Sequence, residues 1–249
     1  MTISYASEHK WIEPILDDPM DGLGKNNRAR LRSTLKNINE SGITYSVELL
    51  TPEILDWFTP LYESQINEKN NPKIHDIASK TINKKTTYKY FALILKENEE
   101  LIGATIFSER KKILSIAYRI YLSNWKHHSF QASPSLYTEY LINRYAYERG
   151  YHQLSHGKDR NPYGQNASIG LALFKLSVGC SVFLPSTNYE TQTIDLDSVT
   201  EDILIFEHPA GSELRITKGY LCVSKESLAK YENVTKYPNQ IKIEIVLRD

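Results

Sequence analysis

Apolar residues at helical spacing mark the first readable element. In "GLGKNNRARLRSTLKNINESG", Leu31, Leu35 and Ile38 recur at i, i+4 and i+7, while Arg28, Arg30, Arg32 and Lys36 cover much of the rest. This pattern predicts an amphipathic helix after an irregular start, closed by Gly42. "ITYSVELL" then alternates as a strand does, and "TPEILDWFTPLYESQINEK" reads as a second helix. Thr51 is its N-cap and Pro52 its first residue, and Pro60 should kink or divide it. The polar stretch 69–85 has room for one short helix. Next comes an antiparallel meander: "YKYFALILK" meets "LIGATIFSE" across "ENEE", and "KILSIAYRIYLS" follows across "RKK".

In "SPSLYTEYLINRYAYERG", Ser133 is the expected N-cap, Pro134 the first helical residue and Gly150 the left-handed stop, with Leu136, Tyr140 and Tyr147 in the buried stripe. "YHQLSHG" reads as a short strand, residues 166–178 as a helix capped by Asn166 or Ser168, and "CSVFLP" as another strand. Residues 113–184 therefore run strand–helix–strand–helix–strand behind a meander, an α/β (α+β) arrangement with a mixed sheet and crossover helices. From 186 onward the period switches to two, in "TQTIDLD", "DILIFEH", "ELRITKGYLCVS" and "IKIEIVLRD", which predicts a small β-rich C-terminal extension partly paired with the main sheet. The expected organisation is a helical lead-in with one strand over 1–84, part of the main domain, a core over 85–185 and the extension over 186–249.

Composition narrows the partners. Lys+Arg and Asp+Glu stand at 30 each, so no global field draws the chain to nucleic acid or membrane. "MTISYASEHKW" lacks the basic-then-apolar pattern of a signal peptide, and no apolar run approaches a membrane span. The expectation is a cytoplasmic protein with reduced thiols. Cys180 and Cys222 have no CxxC spacing and suggest neither a zinc site nor a disulfide framework.

Candidate chemistry gathers around one charge in a small-residue and apolar run, Lys175 in "NASIGLALFKLSVG". Ser168, Ala172 and Gly179 lie beside it at helical spacing, and Ile169, Leu173 and Leu176 fall towards the other face, where they would pack on the sheet. By periodicity alone Lys175 is either a solvated surface lysine or a cation set in a shallow groove that a ligand can approach. The loop "HGKDRNPYGQNAS" before this helix carries two glycines, Gly157 and Gly164, two cations, Lys158 and Arg160, and the polar caps Asn166 and Ser168. A strand end leading into a helix N-terminus presents free N–H groups suited to a phosphate or pyrophosphate. Neither GxGxxG nor GxxxxGK[ST] is present. Candidate general bases are His156, Asp159, Glu139, His127 and His128. "KHHS" is rejected as a metal site because adjacent histidines diverge and no carboxylate stands at ligand spacing, so no metal is expected. There is no GxSxG elbow, and Cys180 falls in an apolar strand where a thiol is inert.

The order of "NNRARLRSTLKNINESGITYSVELLTPEILDWFTPLYESQ", "LIGATIFSE", "SPSLYTEYLINRYAYERGYHQLSHGKD" and "LALFKLSVGC" resembles the Fem-like acetyltransferase domain of the GNAT superfamily, the group that includes the FemAB-type peptidyltransferases. The resemblance covers about residues 25–184 and rests on the order and spacing of loose motifs. It implies a GNAT-like mixed sheet with the acyl donor in a cleft where neighbouring strands splay. The Phe-Lys pair of the F-K-x-x-x-G helix falls on Phe174 and Lys175, and the lysine would stabilise the developing oxyanion. Where the group often has Asp before an aromatic residue and Gly, this chain has Ser155-His156-Gly157, which makes His156 its own candidate. Tandem GNAT-like domains and a coiled-coil arm for tRNA are usual in the group. This chain has room for one such domain and has no heptad arm, and a homodimer would restore a missing partner surface.

Three readings follow. The first is an N-acyltransferase that uses acyl-CoA as co-substrate and a small-molecule or peptide amine as acceptor. In it Lys175, His156 and Asp159 are catalytic, and Phe174, Lys158, Arg160, Gly164, Asn166 and Ser168 bind the donor. The second is aminoacyl-tRNA-dependent peptidyl transfer, supported by the arginines of the first helix and opposed by the zero net charge. The third is a catalytically silent binding protein or scaffold on the same fold.

Overall fold

The computed structural model describes residues 1–38, 41–68, 74–82, 87–122, 132–165, 167–186, 189–231 and 241–248. Among these, the chain forms two compact units, one of Ile15–Asp21 and Lys25–Leu154, the other of Met1–Pro14, Gly22–Gly24 and Ser155–Asp249. The class is mixed α/β, as the sequence pattern predicts.

In the first of these units, helix α1 (Lys25–Asn37) turns Leu31 and Thr34 inward. Strand β3 (Ile43–Leu49) leads to α2 (Pro52–Asn67), which Thr51 caps by accepting from the Ile54 amide. Helix α2 runs through Pro60 without being divided there. A short helix, α3 (Ile77–Lys80), does fall in the polar stretch. The meander β4 (Lys89–Glu97), β5 (Glu100–Arg110) and β6 (Ile113–Tyr121) is antiparallel throughout. Its first turn carries positive φ at Asn98 and Glu99, the twist a two-residue hairpin requires. Phe58, Tyr62 and Ile66 of α2 cluster with Ala92, Ile94, Ala104, Ile106 and Ile120 of the meander.

Helix α4 (Pro134–Glu148) completes the unit, capped by Ser133 and stopped by Gly150 at φ +68. Its buried stripe is Leu136, Tyr137, Leu141, Ile142 and Ala146, whereas Tyr147 is exposed. The tyrosine spacing is one residue out of phase with the face that packs. Glu139 lies on this stripe too, and its carboxylate pairs with Arg119 of β6 at 2.5 Å.

The other unit begins where the sequence reads as irregular: Met1–Pro14 forms strands β1 (Thr2–Ala6) and β2 (Glu8–Pro14). Strand β7 (Gln153–Arg160) is followed by helix α5 (Ile169–Ser177) and β8 (Ser181–Phe183). The β-rich tail supplies β9 (Thr191–Asp195), β10 (Ile203–Phe206), β11 (Arg215–Ile216), β12 (Lys218–Ser224) and β13 (Lys242–Arg248). Strands β11, β8, β2 and β7 lie side by side, so the tail pairs partly with the main sheet, as expected, through β11 on β8. Strand β10 pairs β12, which pairs β13 in parallel, and β1 pairs β9. Ile3, Tyr5, Ile203, Ile205, Tyr220 and Cys222 form one core cluster between these strands.

Candidate active site around Lys175

Strand β2 alternates strictly, and the residues it turns inward are His9, Trp11 and Glu13. Strand β7 turns Leu154 and His156 inward, and then the phase slips. Gly157 sits at φ +79, a conformation glycine adopts without a side-chain penalty. Beyond it Asp159 faces in, while Lys158 and Arg160 are exposed. These three residues belong to the strand and not to the loop where the sequence pattern places them.

Helix α5 is capped by the Ser168 hydroxyl, which accepts from the Leu171 amide. Its buried face is Ile169, Ala172, Lys175 and Leu176. Ile169 and Leu176 pack inward as the helical wheel predicts, with Leu173 half-buried, but the face of Lys175 is corrected: with Ala172 beside it, the lysine is buried as well. Lys175 is only 6% exposed. A buried ammonium is tolerated when a counter-charge and hydrogen bonds replace water. Here Nζ donates to Asp159 Oδ2 at 2.7 Å and to the His156 carbonyl at 3.1 Å, and it lies 5.5 Å from the centre of the Trp11 ring. An ammonium has three donors, and the third has no acceptor among the described residues.

Asp159 is the hub. Its Oδ2 also accepts from Trp11 Nε1 at 2.9 Å and from the Tyr163 hydroxyl at 2.6 Å, while Oδ1 makes no hydrogen bond with a described residue. Burial pushes the carboxyl up, but the Lys175 charge and the Lys175 and Tyr163 hydrogen bonds outweigh it, and the net effect is downward. Asp159 is thus a stable carboxylate and a weak base. Burial and then the adjacent carboxylate hold the Tyr163 hydroxyl well above its ordinary range.

Since that hydroxyl donates to Asp159, it accepts from Trp11 Nε1 at 2.8 Å and from His9 Nε2 at 2.8 Å, which fixes the His9 proton on Nε2. Desolvation, with Asp159 opposing and Lys175 adding to it, lowers His9 to about 3, so its ring is neutral. Phe206 sets its ring edge-on to His9 and Trp11 at 5.1 and 5.6 Å.

His156 has a different partner. Its Nε2 meets Glu13 Oε2 at 2.8 Å with both side chains buried, and its backbone carbonyl accepts from Lys175. Glu139 belongs to the other unit and to Arg119, and His127, His128 and Asn166 lie outside the described residues. Lys158 stands 3.8 Å from Glu8, and Phe174 is half-buried one residue from Lys175.

The segment after β7 spends its donors on the fold. The Asn161 amide bonds Ser7, the Tyr163 amide bonds Leu204, and the Gly164 amide bonds Ala167. The Asn161 side chain bonds the carbonyls of Ala6 and Phe206 and the Phe206 amide. Gly164, at φ +108, has a packing reason for its identity, since a Cβ there would stand 2.3 Å from the Asp202 carbonyl. These amides are therefore not the open phosphate cradle expected of the loop. Lys158 and Arg160 keep exposed side chains.

Of the site, the sequence pattern signals Lys175, Asp159 and His156. His9, Trp11, Glu13 and Tyr163 carry no motif. Their one legible signal is the strict alternation of β2, with its inward positions filled by polar and aromatic residues.

No family model matches the sequence, and no curated protein does. Among solved structures, FemX superposes with a TM-score of 0.51 at 14% identity over 70% of this chain and 59% of FemX. L-PGS from Bacillus licheniformis gives 0.47 at 15% identity, over 77% of this chain and 61% of that one. The C-terminal domain (DUF2156) of a putative lysylphosphatidylglycerol synthetase from Agrobacterium fabrum gives 0.47 at 12% identity, over 77% and 60%. The chain thus spans less than two thirds of the length of each of these structures. The likeness to FemX is one of fold, and a Fem-like fold is what the motif order anticipates.

Proposed function

We propose that this chain is an N-acyltransferase that moves an acyl group from an acyl-CoA thioester to an amine by direct attack. The observation that carries the reading is the state of Lys175: an inward-facing ammonium, anchored on two sides by Asp159 Oδ2 and the His156 carbonyl, with one N–H still to give. Attack of the amine on the thioester carbon places negative charge on the carbonyl oxygen. A preorganised, partly desolvated cation stabilises that charge without reorganising. The carbon–sulfur bond then breaks, and the amine proton departs with the thiolate as thiol. With Asp159 held as a weak base and the His156 ring turned to Glu13, acceleration comes from positioning and charge, not from a side-chain base. The half-buried Phe174 would line the acyl path, and the exposed Lys158 and Arg160 would meet the phosphates of the donor.

The same ion pair favours a second reading, a catalytically silent binding protein, because a lysine already neutralised by Asp159 is also what a purely structural bridge looks like. A thermal-shift titration with acetyl-CoA, CoA and charged tRNA, repeated on Lys175→Ala, separates the readings. Stabilisation by CoA species, with binding kept and amine acylation lost in the variant, supports acyl-CoA transfer. A shift with tRNA alone replaces the donor, and no shift with any of them leaves the binding-protein reading. A donor at about 100 times its dissociation constant adds about 2.7 kcal/mol, which the melting curve resolves.

A further inference from the structure

We propose that Glu13, His156 and Cys180 form a binding site for a zinc-like divalent transition metal ion, independent of the acyl-transfer reading. The three offer a carboxylate oxygen, an imidazole nitrogen and a thiol sulfur that all lie within 4.8 Å of one another, and all three side chains are buried. The placement follows from strand register. Trp11 pairs with Val182 and Ile12 with Ser181, so continuing the antiparallel register by one residue sets Glu13 opposite Cys180. Directly opposed residues project to the same face. Strand β7, on the other side of β2, brings His156 to 2.8 Å from Glu13. Strands β2 and β7 and the residue just before β8, where Cys180 lies and not in the strand itself, thus each contribute one ligand to one spot.

The donor set selects the ion. Thiolate with imidazole and carboxylate suits zinc or cobalt, whereas calcium and magnesium take oxygen ligands. Metal–ligand bonds of about 2.0 Å to nitrogen and oxygen and about 2.3 Å to sulfur put neighbouring ligand atoms about 3.3–3.8 Å apart. The Glu13–His156 contact would open slightly to admit the ion, and Cys180 would close by a small rotamer adjustment. Charge also balances. A glutamate and a thiolate together neutralise a divalent ion, and the nearby Lys175 is already neutralised by Asp159. Binding displaces the Cys180 thiol proton, and the imidazole of His156 ligates through its unprotonated nitrogen. With Cys180 fully buried, the thiol is out of a substrate's reach, so the cluster is read as a metal holder and not as a nucleophile.

The test uses the whole chain, unfolded and refolded under reducing conditions with Co²⁺, followed by absorption and elemental analysis. One Co²⁺ per chain is expected, with a thiolate-to-cobalt charge-transfer band that disappears in Cys180→Ser and persists in Cys222→Ser. Glu13→Gln should keep the band and weaken Co²⁺ binding at least tenfold. A refolded wild-type chain with no charge-transfer band overturns the proposal, as does a band that survives Cys180→Ser. Should Cys180→Ser fail to fold, the wild type and Glu13→Gln decide the matter, since unchanged affinity in Glu13→Gln also overturns it. The readout is spectroscopic and does not depend on acylation, so failure here leaves the Lys175 reading standing, and the reverse holds too.

Discussion

Removing either partner of the Lys175–Asp159 pair should not cost the same, and the asymmetry can be worked from the hydrogen bonds. Asp159→Ala deletes the one oxygen that takes the Lys175, Tyr163 and Trp11 donors. Trp11 keeps the Tyr163 oxygen as acceptor, but Tyr163 loses its own, and Lys175 is left buried with only the His156 carbonyl. An uncompensated buried charge costs about 3–5 kcal/mol, so this variant should fall near the upper end of that range. Lys175→Met keeps the stem against Trp11 and leaves Asp159 with two donors. The carboxylate side chain is also 15% exposed, which lets water take over part of the lost attraction. About 2 kcal/mol is expected. The double variant Asp159→Ala/Lys175→Met removes both charges and should cost less than the sum of the singles by about 2–3 kcal/mol, the coupling of a buried pair. Urea denaturation followed by tryptophan fluorescence measures all three. Equal costs for the single variants, or costs that simply add in the double, would refute the assignment of Asp159 as the counter-charge.

Two further outcomes test the surroundings of the site. His9 is neutral in the folded state with a value lowered to about 3, facing Tyr163, Asp159 and Lys175, while in the unfolded chain it titrates near 6.5. The unfolded state therefore binds more protons between these values, and stability is full above pH 6.5 and falls as pH drops towards 3. At pH 5 the wild type should have lost about 2 kcal/mol more than His9→Phe relative to pH 7.5, as read from paired denaturation curves, and parallel losses would contradict the burial of a neutral ring. Gly164→Ala meets the Asp202 backbone oxygen at 2.3 Å and φ +108, whereas Gly211→Ala, at φ +65, meets nothing within 4 Å. The first should cost about 3 kcal/mol or more and the second about 1 kcal/mol in thermal unfolding, so similar melting temperatures would count against the close approach.

Much of the fold was legible because its signals are local. Thr51, Ser133 and Ser168 each cap the helix expected of them, and Gly150 stops α4 at positive φ. The meander was readable because its strands are joined by short turns that force neighbours to pair. What local signals could not show is β2. Period-two reading asks for apolar residues at the inward positions, and β2 fills them with His9, Trp11 and Glu13. Such a strand looks irregular until its partners are known, since each of these side chains hydrogen-bonds a residue more than 140 positions away, Tyr163, Asp159 or His156.

The same limit explains why periodicity alone leaves the face of Lys175 open. A helical wheel treats a lysine as a solvent-seeking group, and so places the small residues beside it on the outside. The wheel cannot include the energy of an ion pair, and that energy depends on Gly157. By shifting the phase of β7 it turns Asp159 to the side already occupied by His156. Without that slip Asp159 would face outward with the exposed Lys158 and Arg160 facing in, and a buried lysine on α5 would have no counter-charge. One residue with an unusual backbone thus decides whether Lys175 is a surface cation or the centre of a site. The sequence pattern could name Lys175, Asp159 and His156, but only the packing of α5 on β7 and β2 could bring them together with His9, Trp11 and Tyr163.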